Sequence, residues 1–241
     1  MNGAAIAELK QRISKLSELP TLPQVVQTVV AKIAQPSTSA EDLARVLERD
    51  QVLAAKVLRL ANSPFYGFPS RIASVDHAVV VLGLNVVKGL TLCASALDII
   101  QEAGMHQLWR HSLGVAMTSQ IIARRLGLKN PEDVFVAGLL HDLGKVVLYL
   151  KAPEIWNQVE ALSKANRTYM LDTEQTILDF THAEVAGWLA DAWHLPVVLR
   201  EPMLFHHQPA AAQTARVQTA IVHVADLLVK AMGCGQSGDD L

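Results

Sequence analysis

The sequence predicts an all-α fold. Three observations carry this expectation: apolar residues recur at 3.6-residue spacing, helix-start signals recur along the chain, and no strand alternation persists. Gln24 to Ala34 shows the first stripe, with Val25, Val26, Val29, Val30 and Ile33 on one face. Gln35-Pro36-Ser37-Thr38 breaks it, and Ser39 ahead of Glu41-Asp42 reads as a cap with acid in the first turn. Leu43, Val46 and Leu47 continue that short helix. Asp50 opens the next, which ends in the turn Asn62-Ser63-Pro64-Phe65-Tyr66-Gly67. Ser74 starts a helix that Gly83 interrupts, and Asn85 opens Val86 to Ile100.

Gly104 marks a junction. The helix beyond it carries His111 and ends at Leu126-Gly127-Leu128. Asn130-Pro131-Glu132-Asp133 combines a cap, proline at the first helical position and acid behind it. The sequence places His141, Asp142 and Lys145 on that one helix. Ile155 to Ala165 is amphipathic. Thr181-His182-Ala183-Glu184 matches a capping box and starts a helix to about Trp193. A helix beginning near Pro196 leads to His206-His207, and Val217 to about Met232 forms the last, carrying His223 and Asp226. These stripes predict about ten or more helices in two lobes.

Composition narrows the function classes. The chain has 241 residues, 51% of them apolar, enough for one large domain or two small ones. A net charge of −2 without a basic tract argues against a nucleic-acid partner. The two cysteines, Cys93 and Cys234, stand far apart and suit a reducing compartment. The apolar stretch from Ala78 to Ile100 is broken by Asn85, Lys88 and Asp98, so no membrane partner is expected. No secretory leader is evident at the N-terminus. A cytoplasmic location is the expectation.

The chemistry-bearing residues are seven. His141-Asp142 ends the apolar run 134–140, and His111, His182, His206, His207 and Asp226 flank it in sequence. An imidazole and a carboxylate in succession can ligate one ion. Each residue also has an ordinary reading. His141 could bond backbone at a helix end while Asp142 pairs with Lys145, one turn on. His111 could be a satisfied core histidine, and His182 an ordinary first-turn residue, though exposed amides there favour anions. His206-His207 could answer a helix dipole. Asp226 could face solvent beside His223 and Lys230. Taken jointly, five imidazoles and two carboxylates exceed the needs of one zinc ion and suit a dinuclear site. Iron or manganese is favoured there, with zinc admitted. His77, His106 and His194 fit no ligand pattern.

The His111, His141-Asp142, Asp226 series resembles the HD superfamily of metal-dependent phosphohydrolases. Leu19-Pro20-Thr21-Leu22-Pro23, Leu60-Ala61-Asn62-Ser63-Pro64-Phe65-Tyr66-Gly67 and Ser74-Val75-Asp76-His77-Ala78 sharpen this into a resemblance to HDOD domains, bacterial signalling modules related to HD-GYP proteins. His182 to Gly187 and Trp193 to Pro196 extend it. The resemblance implies an N-terminal helix or extension over 1–14 and a single HDOD domain over 15–232. Within that domain a helical lobe of 15–103 would precede an HD-like lobe of 104–232, and a flexible tail of 233–241 would follow. It implies one or two divalent ions on His111, His141, Asp142, His182, His206, His207 and Asp226. Lys145, with Asp142, would be the catalytic pair in any hydrolase. Partners would be signalling proteins or a small phosphorylated ligand. The expected function is a signalling module with a retained metal site; a metal-dependent phosphohydrolase is the alternative, and a di-iron oxygen or redox sensor a weaker third. Gln208-Pro209 follows the histidine pair and no Gly-Tyr-Pro motif appears, so hydrolysis of cyclic di-GMP is not expected. Gln107 stands where trinuclear relatives carry Glu, so a third ion is not expected either.

Overall fold

A computed structural model of the chain describes residues 8, 11, 13, 24–33, 39–62 and 71–238. Among these residues every regular element is helical and none is a strand. The fold is all-α. The motifs Leu19–Pro23 and Ser63–Gly67, the break at 35–38 and most of 1–14 lie outside the described residues. No helix among them is long and apolar enough to cross a membrane.

Contacts divide the chain into two compact units. One is Thr21–Asp98; the other is Met1–Pro20 with Ile99–Leu241. The first contains α1 (Gln24–Ile33), α2 (Ala40–Glu48), α3 (Gln51–Ala61), α4 (Val75–Leu82) and most of α5 (Leu84–Glu102). Its helix starts are chemically explicit. Ser39 and Asp42 form a reciprocal capping box, and Asp50 and Ser74 accept from the amides of Leu53 and His77. Leu43, Leu47, Val57 and Val79 bury the apolar face between α2, α3 and α4. Asn62 ends α3 with a double role. Its amide nitrogen donates to the Leu58 and Ile72 carbonyls, and its Oδ1 accepts from the Ile72 amide. That clamp gives the asparagine of the 60–67 motif a structural reason.

The second unit holds α6 (His106–Arg125), α7 (Pro131–Leu140), α8 (Leu143–Lys151), α9 (Pro153–Asn166), α10 (Met170–Leu178), α11 (His182–Ala192), α12 (Val197–Phe205) and α13 (Arg216–Ala231). A single 3₁₀ turn, Pro209–Ala211, joins the last two. α7 is its centre: every residue from Val134 to Leu140 is buried. α6 packs along α7 and α13, while α11 packs against α8 and α12.

One expectation is corrected here. The dyad does not lie within a continuous helix: α7 stops at Leu140, His141-Asp142 forms a turn, and α8 starts at Leu143. The reason sits two residues on. A Cβ at Gly144 would fall 1.9 Å from the His182 carbonyl oxygen and 2.9 Å from the Ala186 amide nitrogen. The start of α8 therefore presses directly on the start of α11, which a straight extension of α7 need not do. α10 was not singled out from the sequence.

Candidate metal centre

Three helix ends and two helix interiors deliver the seven side chains. His111 lies within α6 and Asp226 within α13. His141 and Asp142 occupy the turn after α7. His182 is the first residue of α11, held by a Thr181–Glu184 capping box. His206 and His207 occupy the turn after α12. Leaving the helix lets two adjacent side chains aim the same way; on a helix they would diverge by about 100°. The His206 and His207 ring centroids are 4.1 Å apart.

The structure brings all seven together around Asp142. Its Oδ2 lies 3.4 Å from His141 Nε2 and 3.9 Å from His111 Nε2. Its Oδ1 lies 3.3 Å from His182 Nε2 and 3.7 Å from His206 Nε2. Asp226 Oδ1 stands 2.9 Å from His111 Nε2 and 3.8 Å from His141 Nε2. His207 Nε2 stands 3.0 Å from His182 Nε2. Three groups emerge with ligand spacing: His111, His141 and Asp226; His141, Asp142 and His206; His182, His206 and His207. Two donors about 2.1 Å from one ion are about 3.0 Å apart at right angles and about 4.2 Å apart in opposition. The observed separations fall near or within that range.

The hydrogen-bonding pattern fits metal better than a closed polar network. His141 Nδ1 donates to the Gly138 carbonyl, His206 Nδ1 to the Met203 carbonyl and His182 Nδ1 to Glu174 Oε2. Each such bond fixes the tautomer that leaves Nε2 with a lone pair directed into the cluster. His111 Nε2, His141 Nε2, His206 Nε2, Asp142 Oδ1 and Asp226 Oδ1 are all buried without a hydrogen bond. The 2.9 Å approach of His111 to Asp226 lacks hydrogen-bond geometry. Each orphaned buried atom costs about 1–3 kcal/mol. Divalent ions would satisfy all five at once, so the residues present fit a metal centre.

Electrostatics prepare the same donors. Burial would raise the Asp142 carboxyl, but Lys145 and then His141 hold it well below the usual range. Burial likewise opposes the Asp226 carboxylate, but His111 and then His141 and Lys230 together hold it well below the usual range. Burial pushes His206 well down, and burial with the nearby His182 ring pushes His207 to about 2. Ionised carboxylates and neutral imidazoles are the ligand forms, and both aspartates, His206 and His207 are held in them. His141 is pushed the other way: burial opposes its charge, but Asp142 beside it raises the imidazole above its ordinary value.

The ordinary readings of these residues coexist with the cluster. His141 does bond backbone, and Lys145 Nζ does donate to Asp142 Oδ2 at 2.9 Å. Asp226 pairs with Lys230 through its other oxygen yet is buried. His77, His106 and His194 are exposed and take no part.

Two contributors stand outside the seven ligand candidates, and of them the sequence marks only His223, as a neighbour of Asp226 on the last helix. Glu174, fully buried on α10, accepts from both the backbone amide and Nδ1 of His182. His223 donates through Nδ1 to the His206 carbonyl, tying α13 to the histidine turn. No periodic stripe marks Glu174; an acid eight positions before His182 is its one signal in the sequence. A cavity of about 470 Å³ opens beside the cluster, lined by Tyr169, Asp172, His207, His223, Asp226 and Lys230 among others.

Comparison with known proteins identifies relatives of the fold. The HDOD domain model matches residues 19–209. The chain belongs to the HDOD family. An HDOD domain protein of unknown function from Geobacter sulfurreducens has a solved structure 31% identical to it, with a TM-score of 0.82, covering 98% of this chain and 81% of that one. A Shewanella amazonensis SB2B protein, provisionally called a phosphohydrolase, shares the fold at 24% identity and a TM-score of 0.78, over 94% of this HDOD chain and 81% of its own. An uncharacterized protein of Treponema pallidum (strain Nichols) is 25% identical over 230 residues. That match covers 93% of the HDOD chain but only 44% of the relative, so the chain spans less than half of that relative's length.

Proposed function

We propose that this HDOD protein is a signalling module whose second unit holds a dinuclear divalent-metal centre that binds a small phosphorylated ligand. The observation that carries the reading is the sharing of Asp142. One carboxylate oxygen faces His111 and His141, the other faces His182 and His206. His111, His141 and Asp226 would hold one ion; His182, His206 and His207 the other; Asp142 would bridge them. Iron or manganese suits this mix of imidazole and carboxylate, and zinc is admitted. When bound, such ions supply Lewis acidity and positive charge to a phosphoryl group.

The chain's own residues do the rest. Glu174 and the Gly138 and Met203 carbonyls hold three rings at fixed tautomers and angles. Lys145 keeps Asp142 ionised and places an ammonium beside it, where phosphoryl oxygens would be recognised. Lys230 adds a second cation in the lining of the 470 Å³ cavity. Signalling protein partners would read the occupied and empty states.

Phosphoester hydrolysis is the second reading, favoured by that cavity's access to His207 and Asp226. Turnover separates the two. Metal-loaded protein should bind inorganic phosphate calorimetrically while leaving bis(p-nitrophenyl) phosphate and cyclic di-GMP uncleaved. Robust metal-dependent cleavage of either, lost in Asp142→Ala, would replace the signalling reading with the hydrolase one.

A further inference from the structure

The segment after α13 does something its composition does not suggest. Residues 233–238, expected as part of a flexible tail, lie against the cluster. The Gly233 and Cys234 amides finish α13 on the Lys230 and Val229 carbonyls. The Gln236 amide then donates to the Gln107 carbonyl at the start of α6. Ser237, 5% exposed, accepts from Lys145 Nζ through its backbone carbonyl at 2.7 Å.

Glycines make this path available. Gly235 has φ +74°, and a Cβ there would fall 2.4 Å from the His111 amide nitrogen and 2.6 Å from the Gln107 carbonyl oxygen. Gly238 has φ +93°, and its Cβ would meet Met170 Sδ at 2.7 Å. Only glycine combines those backbone angles with so close an approach. The strap is thus fitted to α6 at one end and to α10 at the other.

Its position has a consequence for Lys145. That side chain is fully buried, with Asp142 on one side and the Ser237 carbonyl on another. Ser237 also lines a cavity of about 450 Å³ together with Gln107, Tyr149, Trp156, Gln236 and Gly238. The strap is therefore the wall between that cavity and the lysine. A neutral carbonyl oxygen at 2.7 Å occupies the place an anionic phosphoryl oxygen would take, and makes the weaker bond of the two.

We propose that residues 233–238 are an intramolecular strap that competes with a phosphorylated ligand for Lys145, and that its release opens the 450 Å³ cavity to the metal cluster. The competition rests on the metal-centre reading above; the closure over Lys145 does not. Gly238→Val and Gly235→Ala dislodge the strap from opposite ends, and hydrogen exchange at the Gln236 amide reports its release. The first readout is acetylation of Lys145 by a limiting acetylating reagent in metal-free protein, followed by peptide mass spectrometry. Lys145 should label at least about tenfold faster in both variants than in the parent chain. The second readout is calorimetric affinity of manganese-loaded protein for inorganic phosphate, which should tighten about tenfold. A released Gln236 amide with unchanged Lys145 labelling overturns the closure. Faster labelling with unchanged phosphate affinity overturns the competition. A Gln236 amide still protected in both variants overturns the placement of the strap itself.

Discussion

Asp142 and Glu174 show how single carboxylates organise the centre from different distances. Asp142 touches both ligand groups. Glu174 reaches the cluster only through His182, whose Nδ1 and backbone amide it holds together. Glu174→Gln keeps the volume but loses the charge, and its amide nitrogen cannot accept. Metal affinity should fall about 10–100-fold with the helical circular-dichroism spectrum unchanged. An unchanged affinity would reduce Glu174 to a structural acid. Lys145→Ala should behave in the opposite sense. Metal content should hold, because Lys145 is not among the ligand groups, while inorganic phosphate binding weakens about tenfold or more.

At this scale the seven ligand candidates were legible because histidine and aspartate are rare in apolar helices and stood in a telling order. Glu174 was not legible. Its partner is fixed by the packing of α10 on the start of α11, and no local pattern encodes that contact. The orienting carbonyls of Gly138 and Met203 have no sequence signature at all.

The helix breaks matter more than the helices. Both dyads, His141-Asp142 and His206-His207, sit where a helix stops, and that is what lets neighbours in sequence converge in space. No helix-stop signal stands between the apolar run 134–140 and Lys145, so the sequence reads as one helix where the structure has two. Caps at Ser39, Asp50, Ser74 and Thr181 were legible because their chemistry is local. Gly144, two residues past the first break, is where α8 makes its closest approach to α11. Gly144→Ala drives a Cβ into the His182 backbone and should destabilise the protein by about 3 kcal/mol or more, measured by urea unfolding. A cost under about 1 kcal/mol would show that α8 and α11 separate easily.

Glu201 performs a related task between elements. Its carboxylate on α12 accepts from the backbone amides of Gln213, Thr214 and Ala215 just before α13. Burial opposes its charge, but those amides, Ala215's first, hold its carboxyl below the ordinary range. The folded state therefore gives up this proton more readily than the unfolded state. The contribution is fully present above the ordinary carboxylate range and is lost as pH falls through it toward the folded value. Glu201→Gln should cost about 2–4 kcal/mol at neutral pH, and the gap to wild type should close below about pH 4. A gap constant from pH 7 to pH 3 would contradict the role of charge.

For the whole molecule, the all-α class followed from helical stripes and the lack of strand alternation, and the family followed from motifs spread across both units. The second unit assembles its centre from α6, α7, α10, α11, α12 and α13, residues more than a hundred positions apart. Long-range assembly of this kind is what order along a chain can hint at and cannot position. The tail illustrates the limit: glycine and polar residues in 233–238 read as disorder, while the same glycines supply the backbone angles that lay the segment over Lys145. The central claim is that Asp142 joins two metal half-sites. The most direct test is elemental analysis of wild type and Asp142→Ala, purified without chelator or metal-affinity steps and then equilibrated with manganese or iron(II). Two ions per chain in the wild type, falling to none in Asp142→Ala with the fold retained, is the expected result. A folded wild-type chain that retains no ion would contradict it.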